Sequence, residues 1–184
     1  QVTQGGGLPP PSPAMLGTLP PAPVTGLIVK WSGANWVDER NDGRWTQFLP
    51  YTLADNDVVT IDASSQSPGI SSNIRGVGTL IGNSVFDNSG NRLFVVNTDA
   101  HNEVRFEPNV SGRFVSTRVS TIAFGAGPPV VSFTDLNPHI NYNNAAGSDQ
   151  ERANSLAIPA DIVRAPNGTM YVAATGSAKV GVLD

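Results

Sequence analysis

His101 and His139 are the chain's two imidazoles, and they bound the acid–base and metal chemistry its side chains can offer. His101 sits in Asn97-Thr98-Asp99-Ala100-His101-Asn102-Glu103, where the carboxylates of Asp99 and Glu103 could join one ring nitrogen around a metal ion. The same residue types also build a surface turn whose Asn, Thr and Asp side chains satisfy nearby backbone groups. His139, in Asn137-Pro138-His139, has no second imidazole near it in sequence and fits either a site or a structural loop. Asp38-Glu39 with Asp42, and Asp55-Asn56-Asp57, supply oxygen ligands of the kind calcium takes, but neither has the D-x-[DN]-x-[DN]-G spacing of an EF-hand loop. The sequence holds no cysteine, which removes thiolate metal sites, thiol nucleophiles, disulfides and CxxCH haem attachment. GxSxG, Walker A and HExxH patterns are absent, while a carboxylate pair placed by the fold for acid–base work stays open.

The elements that would position these groups are β-strands. Charged residues make up 14% of the chain and Lys occurs only at Lys30 and Lys179, so the Glu/Lys-rich surface of helices is missing. With 19 Gly and 15 Pro among 184 residues, and abundant Asn, Asp, Ser and Thr, turns and long loops are expected between strands. A hydrophobic fraction of 39% is enough for a core. A net charge of −4 gives no footprint for nucleic-acid binding, and no apolar run reaches the roughly 20 residues of a membrane helix.

Residues 1–29 carry no charged side chain and include Pro9-Pro10-Pro11 and Pro20-Pro21-Ala22-Pro23, so an extended arm is expected there. It is either a flexible linker or a segment that lies on a partner through Met15, Leu16 and Leu19. The following stretch holds Trp31, Trp36 and Trp45. Asn41-Asp42-Gly43, between Trp36-Val37 and Trp45-Thr46, predicts a hairpin turn. These tryptophans offer a stacking platform for a ligand, or core and partner anchors, with Trp31 and Trp36 the candidates for partner contact. Asp57–Asp62 reads as a short strand.

Two segments superpose. Residues 82–97 followed by 102–107 lie on residues 159–174 followed by 178–184, each a strand, a turn with Gly90 or Gly168, a strand of type Leu-Phe-Val or Met-Tyr-Val, a polar turn and a third strand. The Asp57–Asp62 strand resembles that third strand. Such repetition is the sign of a radially repeating β-architecture. Residues 110–158 then count as a long insertion, strand-like at 113–117 and 119–124, with a short helical turn at 150–157 that Asp149 could cap.

Pro159-Ala160-Asp161-Ile162-Val163, Asn167-Gly168-Thr169-Met170-Tyr171-Val172-Ala173 and Lys179-Val180-Gly181-Val182-Leu183-Asp184 together resemble one blade of the YVTN-type, lactonase-like bacterial β-propellers. Leu93-Phe94-Val95-Val96-Asn97 with Asn102-Glu103-Val104 is similar to a second, more divergent copy. The resemblance implies an all-β fold of antiparallel, propeller-like blades over residues 30–184, and it says little about activity. It also implies an incomplete ring: a blade takes about 40–50 residues and a ring about 4–8 blades, whereas this chain supplies about three. Either a fragment of a longer polypeptide or a subunit whose edges other subunits cover is then expected. The expected role is a non-catalytic structural or binding subunit, assembled with other proteins at the periplasm or cell surface and without a cofactor other than a possible calcium ion. The alternative is part of a propeller oxidoreductase or hydrolase with a site at His101, Asp99, Glu103 and His139.

Overall fold

The computed structural model of the chain describes residues 26–49, 56–102, 113–142, 144 and 147–184. The chain divides into two compact units. One comprises Gln1–Ala54, His101–Phe114 and Asn141–Ala146, and the other Asp55–Ala100, Val115–Ile140 and Gly147–Asp184.

In the first unit, β1 (Lys30–Trp31) and β2 (Trp36–Val37) form a small hairpin, with Trp31 opposite Trp36 and their rings 5.5 Å apart. Its turn is closed by Ser32, whose amide and hydroxyl both donate to the Asn35 carbonyl. The hairpin expected at Asn41-Asp42-Gly43 does not form. Asp42 instead caps a 3-10 helix, Gly43–Phe48, by accepting from the Arg44 amide. The carboxylate of Asp38 gathers the amides of Arg40 and Asp42 and curls the chain before a second strand can start.

The second unit is all β apart from short helical turns. β3 (Val58–Asp62) pairs with β4 (Gly69–Ile74). β5 (Leu80–Phe86), β6 (Arg92–Ala100), β7 (Val115–Ala123) and β8 (Val130–Asp135) make a four-stranded antiparallel sheet in sequence order. A short helix, α1 (Asp149–Asn154), precedes a three-stranded sheet of β9 (Pro159–Arg164), β10 (Met170–Ala174) and β11 (Lys179–Leu183). Meander connections and alternating side chains account for this order.

Three expectations shift here. Residues 115–135, placed within the insertion, supply the third and fourth strands of the central sheet. The third strand expected at 102–107 has Asn102 in a turn, and residues 103–107 lie outside the described ones. The helix near residue 150 forms, but Ser148 caps it in a reciprocal box with Glu151. Both repeat hairpins turn where expected, with Gly90 at φ 72° and Gly168 at φ 103°, a region in which a side chain is strained.

The sheets stack face to face. On one face of the central sheet, Leu93, Val95 and Ile122 pack with Ile74 and Val77, and Val58 leans on them. On the other, Val96 and Val119 pack with Ile162 and Val172. Strand β6 thus uses alternate residues for two different cores. β5 bulges between Ile81 and Ser84, and there Gly82 lets β9 approach closely: a Cβ would stand 2.8 Å from the Pro159 carbonyl oxygen.

Candidate functional site

Asp99 lies near the end of β6, where its partner is a buried cation. Arg118 on β7 is 8% exposed, and its Nη1 stands 3.0 Å from Asp99 Oδ2. The same guanidinium donates from Nε to Asn97 Oδ1 at 2.9 Å and from Nη2 to the Val77 carbonyl at 3.1 Å. Asn97 in turn donates to Ser120 Oγ and the Val95 carbonyl, and Ser120 donates to the Val77 carbonyl at 2.7 Å. Thr79 reaches Asp99 Oδ1 at 3.3 Å. The network ties the segment at Val77–Thr79, which leads out of β4, to the middle of the central sheet. Gly78 packs on it so tightly that a Cβ would stand 2.5 Å from Asn97 Oδ1. Phe133 covers the guanidinium from outside, 4.8 Å from its ring centre.

The candidate metal ligands are therefore engaged differently. Asp99 is committed to Arg118, the His101 amide donates to the Phe114 carbonyl, and Glu103 lies outside the described residues. Among the described residues, no group of three or more His, Cys, Asp or Glu side chains converges as a metal site would. His139 Nε2 stands 3.1 Å from the Glu151 carbonyl oxygen, at the end of α1.

The acidic stretch Asp38-Glu39 with Asp42 holds a second buried charge. Asp38 is 2% exposed; Oδ1 accepts from the amides of Arg40 (2.9 Å) and Asp42 (3.1 Å), and Oδ2 from the indole nitrogen of buried Trp45 at 3.0 Å. Burial alone would raise its pKa. The Trp45 indole, the two amides and the nearby charge of Arg44 together outweigh burial, and the carboxyl is held below its ordinary range. Asp42 is occupied by Arg44, through the amide and through Nε at 3.1 Å. Of the other calcium candidates, Asp57 accepts from the Val77 amide at 2.7 Å, and Asp55 is not among the described residues.

Large apolar side chains stand exposed on the outward faces of the stacked sheets. On the β9–β11 sheet, Val163, Tyr171 and Val182 stand opposite one another in a row across three strands, and Val180 stands beside Ala173 in the next row. Val180 and Val182 are 64% and 61% exposed. On the β3–β4 hairpin, Ile61 and Ile70 stand opposite each other on the face away from the central sheet, 61% and 67% exposed, with Val59 beside them. Apolar rows of this kind are unusual on a surface that stays in water.

The sequence carried a signal for them. Ile162-Val163, Tyr171-Val172 and Val58-Val59 place apolar residues on both faces of a strand, the pattern of sheets covered on both sides. Of the partner-contact candidates, Met15, Leu16 and Leu19 lie outside the described residues, while Trp31 and Trp36 are half-buried against each other. No described helix is long and apolar enough to cross a membrane.

No protein-family model matches the sequence, and no curated protein matches it. Among solved structures, a chain of hydrazine synthase from Kuenenia stuttgartiensis is similar, with 18% identity and a TM-score of 0.45 over 65% of this chain and 29% of that one. This chain thus spans less than a third of the neighbour's length. A likeness this distant assigns no activity.

Proposed function

We propose that this chain is a structural and binding module of β-propeller type, without catalysis of its own, whose stacked sheets dock onto other proteins at the periplasm or cell surface. One observation carries the docking role: the stack ends in two outward apolar faces, Val163, Tyr171, Val180 and Val182 at one end and Val59, Ile61 and Ile70 at the other. Fully burying an exposed Val or Ile stabilises by about 1.5–3 kcal/mol, and these side chains are already about half covered, so a partner that closes either face gains roughly half of that at each. The chemistry-bearing side chains point the same way, since Asp99 and Asp38 are spent on buried hydrogen bonds. The propeller type and the exported location rest on the resemblance of residues 159–184 to a blade.

Oxidative footprinting in a native extract tests the assembly. Tyr171 is expected to be protected there and to become reactive in the isolated chain. Equal reactivity in both, with the isolated chain's mass unchanged in the extract, would overturn the reading.

A further inference from the structure

The outward face of β9–β11 repeats, pair by pair, a face that is already an interface inside the molecule. On the central sheet Val85 stands opposite Phe94, which stands opposite Thr121, and the next row pairs Val96 with Val119. Val96 and Val119 lie in the core formed with the following sheet, with Val85 and Phe94 packed against it. On the β9–β11 sheet the same places hold Val163, Tyr171 and Val182, then Ala173 and Val180. An aromatic residue on the middle strand and a valine on the first recur in register, and on the third strand Thr121 and Val119 of the central sheet correspond to Val182 and Val180. The other faces correspond too: Leu93 and Val95 of β6 face the preceding hairpin, as Met170 and Val172 of β10 face the central sheet. The one carboxylate in the outward rows, Asp161, accepts from Asn83 Nδ2 at 2.7 Å. The sheet–sheet interface inside the molecule therefore continues, unfilled, at the outward face, and what fits there is another sheet of this kind.

The chain itself exposes one. The outward face of β3–β4 is the side on which a preceding sheet would sit, and it is apolar at Val59, Ile61 and Ile70. We propose that the β9–β11 face of one copy receives the β3–β4 face of a second copy of this chain, so that copies join head to tail. The two surfaces differ and lie on opposite sides of the stack, so the contact is heterologous and can close a ring or extend. A tail-to-tail contact would set Tyr171 against Tyr171 and reproduce neither internal interface. The proposal rests on the assembly reading above and names its partner.

Sedimentation equilibrium of the full chain, from micromolar to submillimolar concentration, reads the association. The weight-average mass is expected to rise from that of one copy toward that of two or more. Val182→Glu and Ile61→Glu, each in an exposed position and each checked for an unchanged circular dichroism spectrum, should weaken association at least tenfold, because each buries an unpaired carboxylate in an apolar contact. An equimolar mixture of the two variants keeps one intact tail and one intact head. It should recover a dimer and nothing larger, which a tail-to-tail or non-specific contact would not do. A chain that is monomeric throughout, variants that associate like the parent, or a mixture that stays monomeric each overturns the proposal. If the chain stays monomeric while Tyr171 is protected in the native extract, the second copy is excluded and the assembly reading stands. If Tyr171 is also unprotected, both fail.

Discussion

Asp38 and Arg118 are both charged and almost fully buried, yet the two units keep them by different means. Arg118 is neutralised: a carboxylate, a side-chain amide and a backbone carbonyl surround one guanidinium, and the pieces come from β6, β7 and the segment before β5. Among the described residues, no cation forms an ion pair with Asp38. Two backbone amides and an indole N–H meet its oxygens, and all come from residues no more than seven positions away. The ionic solution binds distant parts of the chain together, whereas the hydrogen-bonded one shapes a single loop. Removing one partner from an ion pair strands a charge. Removing the carboxylate from a ring of donors strands only neutral N–H groups, two of which can turn to water.

The largest effect is expected at Arg118. Arg118→Met keeps much of the side-chain volume but removes the guanidinium from Asp99 and Asn97 and leaves the Val77 carbonyl with one donor fewer. A loss of about 3 kcal/mol in a denaturant titration is expected, at the lower end for a buried pair because Asp99 is partly exposed. Adding Asp99→Asn should recover part of that loss, since the carboxylate that Arg118 faced is then neutral. If the double variant is no better than Arg118→Met alone, the ionic half of the contrast is wrong and the hydrogen bonds to Asn97 and Val77 carry the cost.

Asp38→Ala comes next, with an expected loss of about 2 kcal/mol from the unpaired Trp45 indole and the two amides. Trp45 should show it directly, as a shift and broadening of its indole N–H resonance. The pH dependence has a definite sign. The folded carboxyl titrates below its unfolded counterpart, so its contribution is complete above the ordinary aspartate range near pH 4 and is lost as pH falls through the lowered folded value. Asp38→Asn should flatten that part of the acid transition. An unchanged acid transition in Asp38→Asn would mean that other carboxylates govern it.

Much of the fold was legible where turn chemistry and alternation agreed. Gly90 and Gly168 mark the two repeat hairpins, and the short helix near residue 150 was placed, although its cap was expected at Asp149 rather than at Ser148. β4 was not legible, because Gly69-Ile70-Ser71-Ser72-Asn73-Ile74 has few strand formers and is held by Ile74 alone in the core. The third strand of the first repeat was sought too early, at 102–107. Sequence similarity carries no measure of loop length, and β7 hides its place by carrying Arg118 where an apolar residue is expected. The candidate site was less legible still. Asp38 in an acidic cluster reads as an oxygen ligand, and no spacing rule anticipates the bond it accepts from Trp45 in the following helical turn. The contact between Asp99 and Arg118 was not legible, because the two are 19 residues apart and meet only across the β6–β7 pairing.

The smallest effect separates the two charges most cleanly. Arg44 acts on Asp38 through its charge; it pairs with Asp42 at 3.1 Å, both about two-fifths exposed, and stacks 4.7 Å from the centre of the Trp45 ring. In water such a pair is worth little and the stacking adds a modest term, so Arg44→Gln should cost about 0.5 kcal/mol and at most about 1. The Asp38 carboxyl should titrate slightly higher in this variant, because the weakest of its stabilising influences is gone while the indole and both amides remain. Carboxyl-detected NMR titration of Asp38 measures that shift alongside the denaturant midpoint. A loss as large as that of Asp38→Ala would show that Asp38 depends on a counter-charge after all, and the distinction from Arg118 would then be one of distance rather than of kind.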